Sequence, residues 1–183
     1  MGRFATGVAL LAVQTDDVVH AITVNSVTSV SLEPAVLSVC LRQESRMLRV
    51  IVQANRFGLS VLASVHEPLS RRYSGHRVPT ASARWRLCDG TPVVEDALAG
   101  FACTLLSTLR VGDHTVIFGQ VRHVYESSVA GEALVYFEGA YRRLPAPPTA
   151  TERQLPEGQR DSSLHSAGLG LANHANDTFR VGY

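Results

Sequence analysis

The sequence predicts a mostly β protein, a small closed or nearly closed barrel of short strands with two or three short helices. Three observations predict it. Runs rich in Val, Ile, Thr and aromatic residues recur along the chain, among them Val18–Val24, Phe57–Leu62 and Thr115–Tyr125. Turn signals punctuate these runs at Gln14–Asp17, Leu32–Pro34, Asp89–Gly90 and Gly112–His114. Helical spacing with caps is confined to the stretches around 45–55 and 64–75.

In chain order, Arg3 to Val13 (RFATGVALLAV) runs into an apolar strand, with Gly7 at the turn into it. Gln14-Thr15-Asp16-Asp17 reads as a hairpin connection to a partner strand over Val18–Val24. From His20 to Leu41, two β-rich runs flank a polar centre over Thr23–Ser29, and the Leu32-Glu33-Pro34 corner separates them. In a strand, Thr23 and Asn25 would point one way and Val24 and Ser26 the other. Ser45 can cap a helix whose Met47, Leu48, Ile51 and Val52 share a face, and Asn55 ends it. Arg46 and Arg49 fall on one side of that helix, either as solvated charge or as an anion clamp beside its N-terminus.

Phe57–Leu62 is the next strand. Ser64-Val65-His66-Glu67 then has a capping-box pattern leading into a short helix that ends near Gly75, with Pro68 early enough to be tolerated. Residues 84–87 alternate around Trp85 before the Asp89-Gly90 turn. Val93-Val94, Phe101–Leu109 and Thr115–Tyr125 read as strands, and Leu134–Tyr141 (LVYFEGAY) as one final strand. From Pro145 the strand pattern gives way to Pro, Gly, Ser and charge. The expected organisation is therefore a domain over 1–144 and a tail over 145–183, mobile or packed on a partner subunit.

Composition narrows the function. The 183 residues are 45% hydrophobic and 18% charged, with a net charge of +1, which argues against a nucleic-acid binder that neutralises phosphates. No apolar run approaches the ~20 residues of a membrane-spanning helix, and the N-terminus does not read as a signal peptide. All 17 basic residues are Arg, a bias that points to a high-GC bacterial source and sets aside the loose myristoylation pattern at Gly2. Cys40, Cys88 and Cys103 are odd in number and have no CxxC spacing, as expected of reduced thiols in a cytoplasmic protein.

The residues also limit the chemistry. No HxH, HExxH or Cys/His cluster occurs among the seven histidines, so no metal site is expected. No GxSxG elbow is present, and no GxGxxG follows a strand and opens a helix; Gly168-Leu169-Gly170 lacks the third glycine. Thr23, Asn25, Ser26, Thr28 and Ser29 place five uncharged hydroxyl or amide groups within seven residues. They suit either a planar, hydrogen-bonding ligand or a solvated antiparallel strand. His114 sits at a Gly-Asp corner between two apolar strands, either facing a ligand or turned to water.

Several segments in register resemble one family. Arg3-Phe4-Ala5-Thr6-Gly7-Val8, Thr23-Val24-Asn25-Ser26, Ser29–Pro34, Phe57–Leu62, Cys103, Gly112-Asp113-His114 and Leu134–Tyr141 are similar, in order and spacing, to the flavin reductases with the FMN-binding split-barrel fold. The resemblance spans residues 3–144. It implies a Greek-key-like split β-barrel and an NAD(P)H:flavin oxidoreductase, usually a homodimer, that supplies reduced FMN or FAD to a separate monooxygenase. Carried over by position, Thr23, Val24, Asn25 and Ser26 would border the isoalloxazine ring, with Ser38 and Cys40 near the ring or ribityl chain. Ser45 and Arg46 would approach the phosphate, and His114 would lie near the nicotinamide as the catalytic residue. Departures are the missing family segment before Arg3, Tyr73 where Phe is common, and Ala35 where a second Pro often follows Pro34. The alternative is a non-catalytic flavin-binding protein on the same barrel. A pyridoxamine-phosphate-oxidase-like enzyme would call for a denser basic clamp.

Overall fold

The computed structural model describes residues 2–78, 81–127 and 131–145. Beyond residue 145, the tail read from the sequence lies outside the described residues. The first strands are β1 (Thr6–Gly7), β2 (Ala9–Thr15), β3 (Val18–Val24), β4 (Thr28–Leu32), β5 (Ala35–Arg42) and β6 (Arg56–Val61). They are followed by β7 (Trp85–Cys88), β8 (Thr91–Val94), β9 (Ala99–Val111), β10 (His114–Glu126), β11 (Ala133–Phe137) and β12 (Ala140–Leu144). Helix α1 (Arg46–Ala54) joins β5 to β6, and a 3-10 turn over Ser64–His66 leads into α2 (Glu67–Tyr73).

Seven strands form one antiparallel sheet in the order β3-β2-β6-β9-β10-β5-β4. A β1-β11-β12 sheet and the β7-β8 hairpin accompany it. Among the described residues no ladder joins β3 to β4, the two edges of the large sheet. The mostly β class and the pair of helices are as expected, whereas the closed barrel is not seen.

Strand β2 explains the core. Its ALLAV run is buried on both faces, so it reads as continuous apolar sequence and does not alternate. One face, with Leu11 and Val13, joins Leu37, Val39, Phe57, Leu59 and Ile117 beneath α1. The other face, with Leu10, packs beside Leu62, Leu69, Val94 and Leu134. Met47 and Ile51, four apart, are the residues α1 buries. Removing a side chain the size of Ile51 from water is worth about 1.5–3 kcal/mol. Asn55 ends the helix in the left-handed conformation, its N–H on the Ile51 carbonyl.

Four local expectations are corrected. Val52 is exposed, so the buried stripe of α1 is narrower than the sequence spacing suggests. Ser45 stands at the N-cap of α1 but makes no side-chain capping bond. The capping box at 64–67 does not form: the Ser64 hydroxyl goes to Glu132 and the Glu67 carboxylate to Arg71. The run 134–141 is two strands, because Glu138 and Gly139 both take positive φ and fold it into the β11-β12 hairpin.

Candidate functional site

Strand β3 stops at Val24 and β4 starts at Thr28, so Asn25-Ser26-Val27 carries the chain from one edge of the large sheet to the other. The alternation expected through Ser26 therefore ends one residue after Thr23. The β4-β5 ladder ends at Thr28 opposite Ser38, and two steps further Ser26 falls opposite Cys40. No strand continues there. Instead the Ser26 hydroxyl accepts from the Cys40 N–H at 3.0 Å and donates to the Cys40 carbonyl at 3.2 Å. A side chain replaces a missing rung and pins the crossing to β5.

The neighbouring polar groups are also engaged. Thr23 donates its hydroxyl to the Ser70 carbonyl at 2.7 Å, and Asn25 donates from Nδ2 to Thr6 Oγ1 at 3.2 Å. The side-chain donors singled out in the sequence thus brace the protein. The backbone N–H groups of Asn25, Ser26 and Val27 find no intramolecular partner among the described residues. Such groups call for water or a ligand when they line a cleft.

A second wall comes from the far end of β5 and the turn between β9 and β10. Gly112, with φ of +56°, and Asp113 make the turn, and His114 opens β10 opposite Arg42. Gln43 zips the two together: its N–H donates to the Asp113 carbonyl at 3.1 Å and its Nε2 to the Gly112 carbonyl. His114 Nδ1 lies 2.8 Å from Asp113 Oδ1. A carboxylate can only accept, so Nδ1 carries the proton, and Nε2 is the acceptor of the neutral ring. The His114 hydrogen bond in turn holds the Asp113 carboxyl below its ordinary range.

These walls enclose a cleft of about 530 Å³. Thr23, Val24, Asn25, Ser26, Cys40, Ser45 and His114, seven of the nine residues singled out in the sequence, line it together. Ser38 is on the same face of β5 but is buried between Thr28 and Phe118, outside the cleft. Arg46 lines an adjoining groove with His20 and Arg72. Arg42 and Glu44 line the cleft unanticipated. Their only sequence signal was charge just before a helix, and it is the pairing of Arg42 with His114 that brings the region to the site. A second cleft of about 750 Å³ shares Asn25, Ser26 and Cys40 and adds Phe4, Thr6 and Tyr136. Among the described residues, no three His, Cys, Asp or Glu side chains gather as metal ligands, and no helix is long and apolar enough to cross a membrane.

Residues 1–145 match the family model described as the flavin reductase like domain. The chain belongs to the flavin reductase family. Within it, the chain is 34% identical over 149 residues to an NADH-dependent flavin reductase from Rhodococcus sp, covering 79% of this chain and 82% of that one. It is 35% identical over 147 residues to the NADH-dependent flavin reductase StyB from Pseudomonas fluorescens, covering 79% and 86%. Among solved structures, the styrene monooxygenase flavin reductase from Pseudomonas putida S12 superposes with a TM-score of 0.73 at 34% identity, covering 80% and 96%. As a flavin reductase the protein is an oxidoreductase.

Proposed function

We propose that the protein transfers hydride from NADH to FMN or FAD in the cleft between Asn25–Val27 and His114, and releases the reduced flavin to a separate monooxygenase. The observation that carries this reading is the convergence of the 25–27 crossing, Cys40, Ser45 and His114 on one cleft of about 530 Å³. That volume lies within the roughly 300–1,000 Å³ of small-molecule sites. The relatives' printed names supply the donor and the kind of partner: NADH in the Rhodococcus and Pseudomonas fluorescens enzymes, and a styrene monooxygenase in the solved structure.

The residues present fit such a ring. When bound, the flavin supplies the hydride acceptor. The N–H groups of Asn25, Ser26 and Val27, unpartnered among the described residues, would offer neutral donors to its carbonyl edge, where charge builds during reduction. Ser45, whose hydroxyl makes no capping bond, and Arg46 at the start of α1 would take the phosphate. Ser38 would act one layer behind, beneath the ribityl side. His114, fixed in one tautomer by Asp113, would orient the nicotinamide through its Nε2 acceptor, a matter of positioning and not of proton transfer. Neutral contacts dominate, and they suit a carrier that must leave.

The accompanying architecture is the Greek-key-like split barrel, over a domain ending at residue 144. Support comes from a sheet whose unlinked edges β3 and β4 are joined by the three-residue crossing. The homodimer and cytoplasmic setting belong to the same reading, and the exposed Val30, Leu106 and Leu109 on β4 and β9 supply apolar surface for a second copy. The test is NADH oxidation by the purified chain with and without added FMN or FAD. Flavin-dependent loss of the nicotinamide absorbance is expected. Flavin binding without that loss would leave the non-catalytic carrier instead.

A further inference from the structure

The turn that presents His114 is held by little packing. Leu106 to Val111, the outer half of β9, is exposed throughout, and so are Gly112 and Asp113 at the tip. With no buried side chain at the tip, the place of the His114 ring is set by hydrogen bonds. These are the ladders on either side of β10 and the contacts that reach the tip from the end of β5.

Those contacts come from Gln43, the residue just past β5, whose neighbours are both tied down. Arg42 pairs with His114 in the ladder, and its carbonyl takes the Ser45 N–H at 3.0 Å. The Glu44 carbonyl takes Arg49 Nη1 at 3.3 Å. From this fixed origin the Gln43 N–H reaches the Asp113 carbonyl at 3.1 Å, and Nε2 reaches the Gly112 carbonyl. The two bonds differ in what they ask of the sequence. Any residue but proline supplies the first, whereas the second needs a side-chain donor of this reach. It takes hold at Gly112, whose φ of +56° sets the direction in which the chain leaves the turn. The next residue is Asp113, whose Oδ1 takes His114 Nδ1 at 2.8 Å. A run of contacts thus leads from Gln43 Nε2 through the tip to an imidazole that lines the cleft, while Gln43 is not itself among the lining residues.

We propose that Gln43 is a positioning residue for hydride transfer: it holds the Gly112–Asp113 tip so that His114 is presented in one place and in one tautomer. The inference rests on the role given to His114 in the proposed function and adds the residue through which that role is kept in register.

Two variants remove the side-chain bond and keep the backbone one. Gln43→Ala deletes the donor, and Gln43→Glu keeps the size but puts there a carboxylate that can only accept. Both should lower kcat/KM for NADH about threefold to tenfold, the scale of one hydrogen bond, and leave flavin Kd within about twofold. A double-mutant cycle separates positioning from general damage. With His114→Ala already in place, adding Gln43→Ala should change kcat/KM by less than about twofold, because the group it acts through is gone. Losses that multiply would put Gln43 on a separate route and overturn the proposal, as would single variants that match the unmodified chain.

A second readout needs no turnover. In the full chain carrying isotope-labelled histidine, at a pH where the ring is neutral, the His114 nitrogen resonances are assigned by their loss in His114→Ala. They should report a proton held on Nδ1, and in Gln43→Ala a mixture of the two tautomers. Unchanged ring resonances in the variant would overturn the proposal. Absent NADH oxidation with FMN would count against the reductase reading alone, and the ring resonances would still decide whether Gln43 sets His114.

Discussion

One hydroxyl, that of Ser26, closes both backbone groups of Cys40: it accepts from the N–H at 3.0 Å and donates to the carbonyl at 3.2 Å. The crossing is therefore anchored where the β4-β5 ladder would otherwise run out, and under the proposed function Ser26 would act on a ligand through the loop it holds.

Ser26→Ala should leave two part-buried backbone groups without partners, at a cost of about 1–3 kcal/mol. The melting midpoint should fall and flavin affinity should weaken. Ser26→Thr, which keeps the hydroxyl, should recover most of both. Equal flavin titrations for the alanine variant and the unmodified chain would show that the crossing keeps its place without the staple.

His114→Ala removes the side chain that Asp113 orients toward the cleft. The kcat/KM for NADH should drop about tenfold or more, with flavin Kd changing far less, because the lost group positions the donor. Steady-state kinetics beside a flavin titration decide it. A change confined to flavin Kd would move His114 to the flavin side of the site.

The Asp113–His114 bond also carries a pH signature. The folded-state pKa of Asp113 is depressed below its ordinary 3.8, chiefly by the hydrogen bond from His114. The contribution of a depressed carboxylate is present above the unfolded value and is lost as pH falls through the folded one. Asp113→Asn should thus abolish a small acid-side loss of stability that begins near the ordinary carboxylate pKa and extends below it. Melting curves across that window, for both proteins, provide the comparison.

The three cysteines should separate by reactivity. Burial pushes the Cys103 thiol up to about 12, so a thiol reagent at neutral pH should reach it only on unfolding. Cys88 is also raised, first by partial burial and then by Asp89. Cys40 lines both clefts, and FMN should slow its labelling. Peptide mapping after timed alkylation would show whether protection falls on Cys40.

Gly58 marks where backbone approaches backbone. A Cβ there would lie 2.0 Å from the Pro92 carbonyl oxygen. Gly58→Ala should destabilise by about 1–3 kcal/mol or more, because a strand must move and no side chain can turn aside. Denaturant unfolding of the variant measures it.

Much of the fold was legible because local chemistry decides it. The Asp16-Asp17 and Asp89-Gly90 turns, the left-handed Asn55 and the Met47–Ile51 stripe each depend on residues within a turn of one another. The errors fell where distant partners compete for the same groups. Ser64 looked like a cap, but Glu132, 68 residues away, takes its hydroxyl. Glu138-Gly139 was read as strand interior because an isolated EG pair is a weak turn signal beside a strong β run.

The site divides in the same way. By itself the sequence determined only where candidate groups stand, and resemblance to a family suggested a flat redox ligand for them: a cluster of neutral polar side chains at 23–29, a helix start at 45–46, and a histidine on a Gly-Asp corner. Only the tertiary structure decided what each of them does. Ser26 and Thr23 spend their hydroxyls on Cys40 and Ser70, and the crossing is left with backbone donors that find no partner among the described residues. The reason is physical. A hydroxyl has one proton to give, and whether a ligand or the chain receives it depends on which carbonyl lies within three ångströms, a distance set by strand register and not by neighbours in sequence.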